Sequence, residues 1–255
     1  MILIAPIYLD AAILPHFLRH YSELGVTAFH FAINTRLNPT IADQVQALAS
    51  SYPVHVDAVY EVDDVTSVVA EHLNAIRLRR AQPDEWIAVT DLDEFFTLDR
   101  PLADILAHCD AQGHDHIVGR FVDRVAIDGR FPALAPAPSL FEQYPLGRRL
   151  TRNLLGGNDV KVVLHKARCE IIRGHHRIGG GRAAAPFVVD VHHFKWKAGV
   201  IERHRERLRV QEQLGLPWAH ESRSFLAYVD RHGRIDIDDP RFFVDASRAS
   251  QTDRP

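Results

Sequence analysis

"WIAVTDLDEFF", residues 86–96, carries an apolar run straight into three carboxylates, Asp91, Asp93 and Glu94, and then back into Phe95 and Phe96. Acids set between apolar blocks are costly to bury unless a partner compensates them. The run over 86–89 reads as a strand, and what precedes it decides the fold. Residues 2–7 form a short apolar strand closed by Pro6 and Tyr8. A helix capped by Asp10 runs to about Leu24, with Leu14, Phe17, Leu18, Tyr21 and Leu24 at helical spacing and Gly25 as its stop. A second strand over 26–33 ends at Asn34, and Pro39 opens a helix through 49. A third strand over 54–60 runs into the acidic turn 61–64, and an amphipathic helix follows over 65–80. Such alternation predicts an α/β fold, a mainly parallel sheet with helices on both faces, whose ligands sit at the carboxyl ends of the strands. Asn34, the 61–64 turn and the Asp91–Asp93 pair all fall at such ends.

The second half reads differently. A strand is expected over 116–126, a long Pro-, Gly- and Arg-rich loop over 131–157, and further strands over 160–165 and 187–193. "GHHRIGGGR" (174–182) is flexible by composition, and it lacks the strand, helix and Lys-Ser/Thr ending of a phosphate-binding Walker loop. A charged helix over 198–214, a shorter one near 222–229 and a polar tail from 246 complete the chain. A chain of 255 residues, 46% of them hydrophobic, can bury a core without disulfide staples. Cys109 and Cys169 have no metal-ligand spacing and read as free thiols. The net charge of −3 argues against a general nucleic-acid binder. "MILIAPIYL" has no positive leader region and is too short to span a bilayer, and no later run is long enough. The expectation is a cytoplasmic protein, with room for a membrane-surface role.

Asp91 and Asp93 are two residues apart, so in an extended segment both face one side, and Leu92 faces the other. Two close carboxylates repel unless a cation compensates them. A hard divalent ion such as Mg²⁺ or Mn²⁺ accepts such oxygens and keeps positions for phosphate. The pair therefore suits a metal–diphosphate. A phosphatase that uses the two acids as nucleophile and proton donor is the rival chemistry. That arrangement normally lies on a first strand, not a fourth.

The order of several motifs resembles the GT-A glycosyltransferases, in particular bacterial family 2-like members with a compact DxDEF signature. "LPHFLRHYSELGVTAFHFAIN" (14–34) is similar to the family's opening helix and second strand. "VDRVAIDGRF" (122–131), "KVVLHKARCEIIRGHH" (161–176) and "VHHFKW" (191–196) are similar to its later landmarks, over roughly residues 1–210. The resemblance implies a hexosyltransferase-like enzyme of polysaccharide biosynthesis. Such an enzyme moves a sugar from a UDP- or GDP-sugar to a glycan or lipid-linked hydroxyl, with inversion. It implies one domain over 1–245, a nucleotide-binding half (1–100) and an acceptor-side half (101–245), then a frayed tail over 246–255. A non-catalytic nucleotide-sugar or carbohydrate-binding protein of the same fold is the alternative.

The resemblance also assigns residues. Asp93 becomes the direct ligand of Mn²⁺ or Mg²⁺, and Asp91 a ligand or a contact to ribose or metal-bound water. His193, favoured over His192, completes the metal shell, and an imidazole ligand makes Mn²⁺ the first choice. Pro6, Tyr8, Asn34, Asp63 and Asp64 would border the nucleotide, with an acid near a uracil-like base. Arg77, Lys161 and His176 (or His175) would approach the diphosphate, with Lys195 or the basic loop around 148–152 as other positive groups. An inverting transfer needs a base; Asp123 is the first candidate, with Asp128 and Glu142 as alternatives. The family's usual Glu-Asp pair has no clear equivalent here.

Overall fold

The computed structural model describes residues 1–8, 11–62 and 65–244, with the side chains of 65–67 left aside. Its contacts divide the chain into two compact units: residues 1–120 with 160–191, and residues 121–159 with 192–255.

The first unit is a mixed α/β layer structure. It contains β1 (Ile2–Ile7), α1 (Leu14–Glu23), β2 (Ala28–Asn34), α2 (Ile41–Leu48), β3 (Val54–Tyr60), α3 (Val65–Arg80), β4 (Trp86–Val89), β5 (Glu94–Thr97) and α4 (Leu102–Ala111). Strand β6 (His116–Val125) leads out of it. Strand order begins β3-β2-β1-β4, and these four are parallel. The apolar run of β1 is buried almost throughout, as a strand covered on both faces requires. Phe29 meets Phe17 of α1 on one face, while Ile4, Ala32 and Ile87 pack with Leu73 and Ile76 of α3 on the other. Pro6 is tolerated inside β1 because the pairing with β4 ends at Ile4–Val89, so no ladder bond to β4 is lost there. The α/β class, the mixed sheet and its parallel first part are as the alternation predicts.

Strand β8 (Val160–Lys166) lies antiparallel to both β4 and β6. The hairpin β9 (Glu170–Ile171) and β10 (Ile178–Gly179) and the strand β11 (Ala184–His193) follow. Gly119 in β6 is a packing glycine, since a Cβ there would sit 2.4 Å from Val191.

The second unit holds α5 (Leu140–Gln143), β7 (Leu146–Arg148), α6 (Leu150–Asn153), α7 (Val200–Gln213) and α8 (Ala219–His232). Its core joins Val125, Leu150, Trp196, Phe225 and Phe242. The region expected to be one long loop, 131–157, thus contains three short elements. They are too brief to show a period, and β7 exists because it pairs with the end of β6. Helix α4 was also unread, although Leu102, Ile105 and Cys109 are its buried stripe. The Asp10 cap falls outside the described residues, and α1 starts instead at Leu14 with a proline in its first turn.

Tyr21 ties α1 to the segment after β4. Its hydroxyl donates to Glu94 O at 2.7 Å and accepts from Phe96 N at 3.2 Å. Phe95 and Phe96 pack on Phe17, His20 and Tyr21. Tyr21→Phe removes the acceptor of Phe96 N and leaves Glu94 O with the Thr90 hydroxyl, so urea unfolding should show a loss of about 1–3 kcal/mol.

Candidate active site

The acidic segment is a turn, not an extended strand. Glu94 N donates to Asp91 O at 3.1 Å, and Asp91 N donates to the Glu94 carboxylate at 3.3 Å. Thr90 Oγ1 braces the same turn through the carbonyls of Asp91 and Glu94. Strand alternation therefore does not sort these acids. Asp91 and Glu94 instead share one partner, Lys161 of β8. Its Nζ lies 3.0 Å from Asp91 Oδ2, 3.0 Å from Glu94 Oε1 and 3.1 Å from Gly174 O.

The electrostatics follow from burial and pairing. Burial alone would raise the Asp91 carboxyl, but the Lys161 ammonium more than offsets it and holds it far below the usual range. Burial would lower the Lys161 ammonium, and Asp91 and Glu94 push it up instead. The side chains of Lys161 and Glu94 are 5% and 3% exposed, and that of Asp91 is 25% exposed, so the pair is screened on one side only. Asp93 is half-buried in the same turn.

The other residues expected at the strand ends divide sharply. Asn34 bridges β2 to the segment after β3: its Nδ2 donates to Val62 O, and its Oδ1 accepts from Val62 N and Arg36 N. Tyr8 is 38% exposed just past β1. Asp63 and Asp64 lie outside the described residues. Arg77, expected near phosphate, is buried in a structural clasp. It donates to Ala167 O and to Asn74 Oδ1, while Asn74 pins both backbone groups of Ile171. His176 donates from Nδ1 to Val160 O and fixes its turn. Its neighbour His175, the less favoured of the two, is buried without a partner at Nδ1.

The candidate base and the candidate histidine ligand belong to the second unit. Asp123 is fully buried and accepts from Thr151 N (2.6 Å), Thr151 Oγ1 (2.8 Å), Trp196 Nε1 (2.9 Å) and His193 Nδ1 (3.1 Å). Burial would raise its carboxyl, but the bond from His193, its charge and the other donors hold it below the usual range. The first-choice base is therefore an anchor with its oxygens occupied. Glu142 forms a capping box with Ser139, and Asp128 accepts from Arg130 N in a surface turn. His192 accepts from Arg124 Nε at 3.1 Å. His193 stacks on Phe121, and a histidine held by a carboxylate at Nδ1 binds metals through Nε2.

Each unit taken by itself holds donors of a kind that a hard divalent ion accepts: carboxylate oxygens at Asp91 and Asp93 in one, and an imidazole oriented by a carboxylate at His193 in the other. Asp91 and Asp93 belong to the first unit and His193 to the second. Among the described residues, no three His, Cys, Asp or Glu side chains are grouped as a ready metal cage. Also among them, no helix is long and apolar enough to cross a membrane.

No family model matches the chain, and no curated protein matches it. Solved structures give distant likenesses. TarS (residues 1–349) from S. aureus is 10% identical, over 91% of this chain and 72% of that one, with a TM-score of 0.38. HddC from Yersinia pseudotuberculosis is 8% identical, over 84% of this chain and 100% of that one, at 0.40. A glucose-1-phosphate thymidylyltransferase from Bacillus anthracis is 11% identical, over 66% and 72%, at 0.34. Scores this low are not evidence of function.

Two outcomes test this geometry. Lys161→Met leaves the buried Glu94 and the partly buried Asp91 without their cation, and at neutral pH it should cost about 3–5 kcal/mol in chemical denaturation. Asp91 has a depressed pKa, so its contribution is present above the unfolded value and lost as pH falls. The gap between wild type and Lys161→Met should therefore narrow below about pH 4. Asp123→Asn keeps one acceptor oxygen but sets an amide NH2 against either Thr151 N or the three donors at Oδ1, and should lower stability by about 2–4 kcal/mol in urea unfolding.

Proposed function

We propose that the protein is a metal-dependent glycosyltransferase that moves a sugar from a nucleotide-diphosphate-sugar to a hydroxyl acceptor. The observation that carries this reading is the Asp91–Asp93 turn. It stands just beyond β4, at the carboxyl edge of four parallel strands, with Asp91 already tied to Lys161. Ligands of open α/β sheets bind at that edge.

Asp91 and Glu94 share Lys161, and the turn adds a third carboxylate at Asp93. A divalent ion such as Mn²⁺ held by such oxygens would supply positive charge to the departing nucleoside diphosphate. Because Lys161 already takes Asp91, Asp93 is the carboxylate we assign to direct metal contact. Asp91 serves as an oriented acceptor for ribose or metal-bound water. His193, held by Asp123 in the second unit, has the orientation of a ligating imidazole. Lys161 keeps the turn in shape rather than acting as a mobile phosphate clamp.

Asp123 is removed from the role of base and becomes the group that positions His193. Transfer with inversion needs a base brought to the acceptor hydroxyl, and Asp128 and Glu142 carry surface duties. The acceptor is a saccharide or lipid-linked hydroxyl.

The test is acceptor-free hydrolysis of a panel of UDP- and GDP-sugars with Mn²⁺, followed by release of the nucleoside diphosphate. Hydrolysis should require the metal and fall about a hundredfold or more in Asp93→Ala, with folding retained. Metal-dependent binding of a nucleoside diphosphate without any turnover would favour the binding-protein alternative. Release of phosphate from a generic phosphomonoester would favour the phosphatase.

A further inference from the structure

The turn that Lys161 holds contains a conformational outlier. His175 has φ +53°, and among the described residues it is the one non-glycine residue with positive φ. A positive φ is uncommon for a side-chain-bearing residue, although Asn, Asp and His adopt it more readily than most, and such conformations persist where the surroundings over-determine them. The surroundings here are explicit. Lys161 grips the carbonyl of Gly174, His176 is bonded to Val160 O, and α3 packs against the 173–175 turn.

The imidazole that this backbone presents is 4% exposed, and its Nδ1 has no hydrogen-bond partner. A buried, unpartnered polar atom is costly. Tyr60, the last residue of β3 in the same unit, stacks on His72 of α3 at 4.2 Å, and its hydroxyl is also buried without a partner. The Lys161 ammonium joins the Gly174 carbonyl, next to His175, to the Asp91 carboxylate, at 3.1 and 3.0 Å. Burial and then the Asp91 charge raise the Tyr60 phenol to about 12.

We propose that His175, with the Tyr60 hydroxyl, forms a recognition site for sugar hydroxyls of the nucleotide-sugar, beside the Asp91 carboxylate. This rests on the nucleotide-sugar reading above and names the part of the ligand these residues contact. The chemistry selects a neutral ligand group. Burial, and then the Lys161 ammonium, lower the imidazole to about 3, so it stays uncharged at neutral pH. A neutral imidazole and a phenol offer no charge to a phosphate, but each exchanges hydrogen bonds with a hydroxyl, which is both donor and acceptor. The partner hydroxyls belong to the ribose or to the transferred sugar.

Glycine separates a ligand role from a structural one. It adopts φ +53° without strain, so His175→Gly keeps the turn and removes only the ring. The measurements are melting temperature, and calorimetric binding of UDP, 2′-deoxy-UDP and UDP-glucose, each with Mn²⁺; GDP and GDP-mannose replace them if wild type prefers guanine. The expected result is a melting temperature within a few degrees of wild type and a dissociation constant raised at least tenfold. His175→Asn, which tolerates the same backbone and retains polar atoms, should recover most of the affinity. A loss seen with UDP but not with its 2′-deoxy form supports the ribose as partner. A loss confined to UDP-glucose supports the transferred sugar. Wild-type affinity in both variants would overturn the proposal while leaving the nucleotide-sugar reading standing. A fall in melting temperature with affinity unchanged would overturn it in the same way. Absence of nucleotide binding in the wild-type protein would overturn both.

Discussion

One buried ammonium organises the candidate site. Lys161 lies on β8, seventy residues from Asp91, and joins the turn after β4 to the turn before His175. Its own burial is unfavourable, and the three acceptors around it make the arrangement stable. Two of those acceptors are carboxylates that would otherwise repel each other inside the fold. The third is a backbone carbonyl, so the same charge that quiets the acids also sets the conformation of Gly174 and His175. With Lys161 in place, the turn keeps a fixed shape.

What could be read from the sequence follows from the range over which each signal acts. The parallel half was legible because strand and helix periods are local: "ILIAPI" and "AFHFAIN" declare buried strands, and Val65–Arg80 was placed to the residue. The acidic turn was legible as a chemical oddity but not as a geometry. Whether 91–94 is extended or turned depends on Tyr21 and Lys161, which lie in distant segments. A lysine at the start of the apolar strand "VKVVLHK" does signal a buried charge in need of acids. The sequence does not say which acids. Asn34 and Arg77, expected as ligand contacts, also hold backbone groups in place. A polar residue near a strand end or on the helix before one serves a backbone clasp as readily as a phosphate, and only the partners Val62 and Ala167 distinguish the two. His175 gave no signal in composition; its left-handed backbone follows from how its neighbours are held.

Asp91 and Asp123 show how compensation, more than burial, sets what a carboxylate can do. Asp91 is offset mainly by a charge on one side and keeps a quarter of its side chain open, so it retains capacity toward a ligand. Asp123 is offset by four directed donors from Thr151, Trp196 and His193 and is closed to solvent. A carboxylate with its oxygens satisfied and its proton affinity depressed is a poor base, because taking a proton would break bonds that hold the second unit's core together. It is a good positioning group for the same reason. Held this way, His193 has its Nδ1 proton committed, which fixes the tautomer and ring orientation. The acid that the sequence offered as a base is therefore the anchor of the histidine it orients.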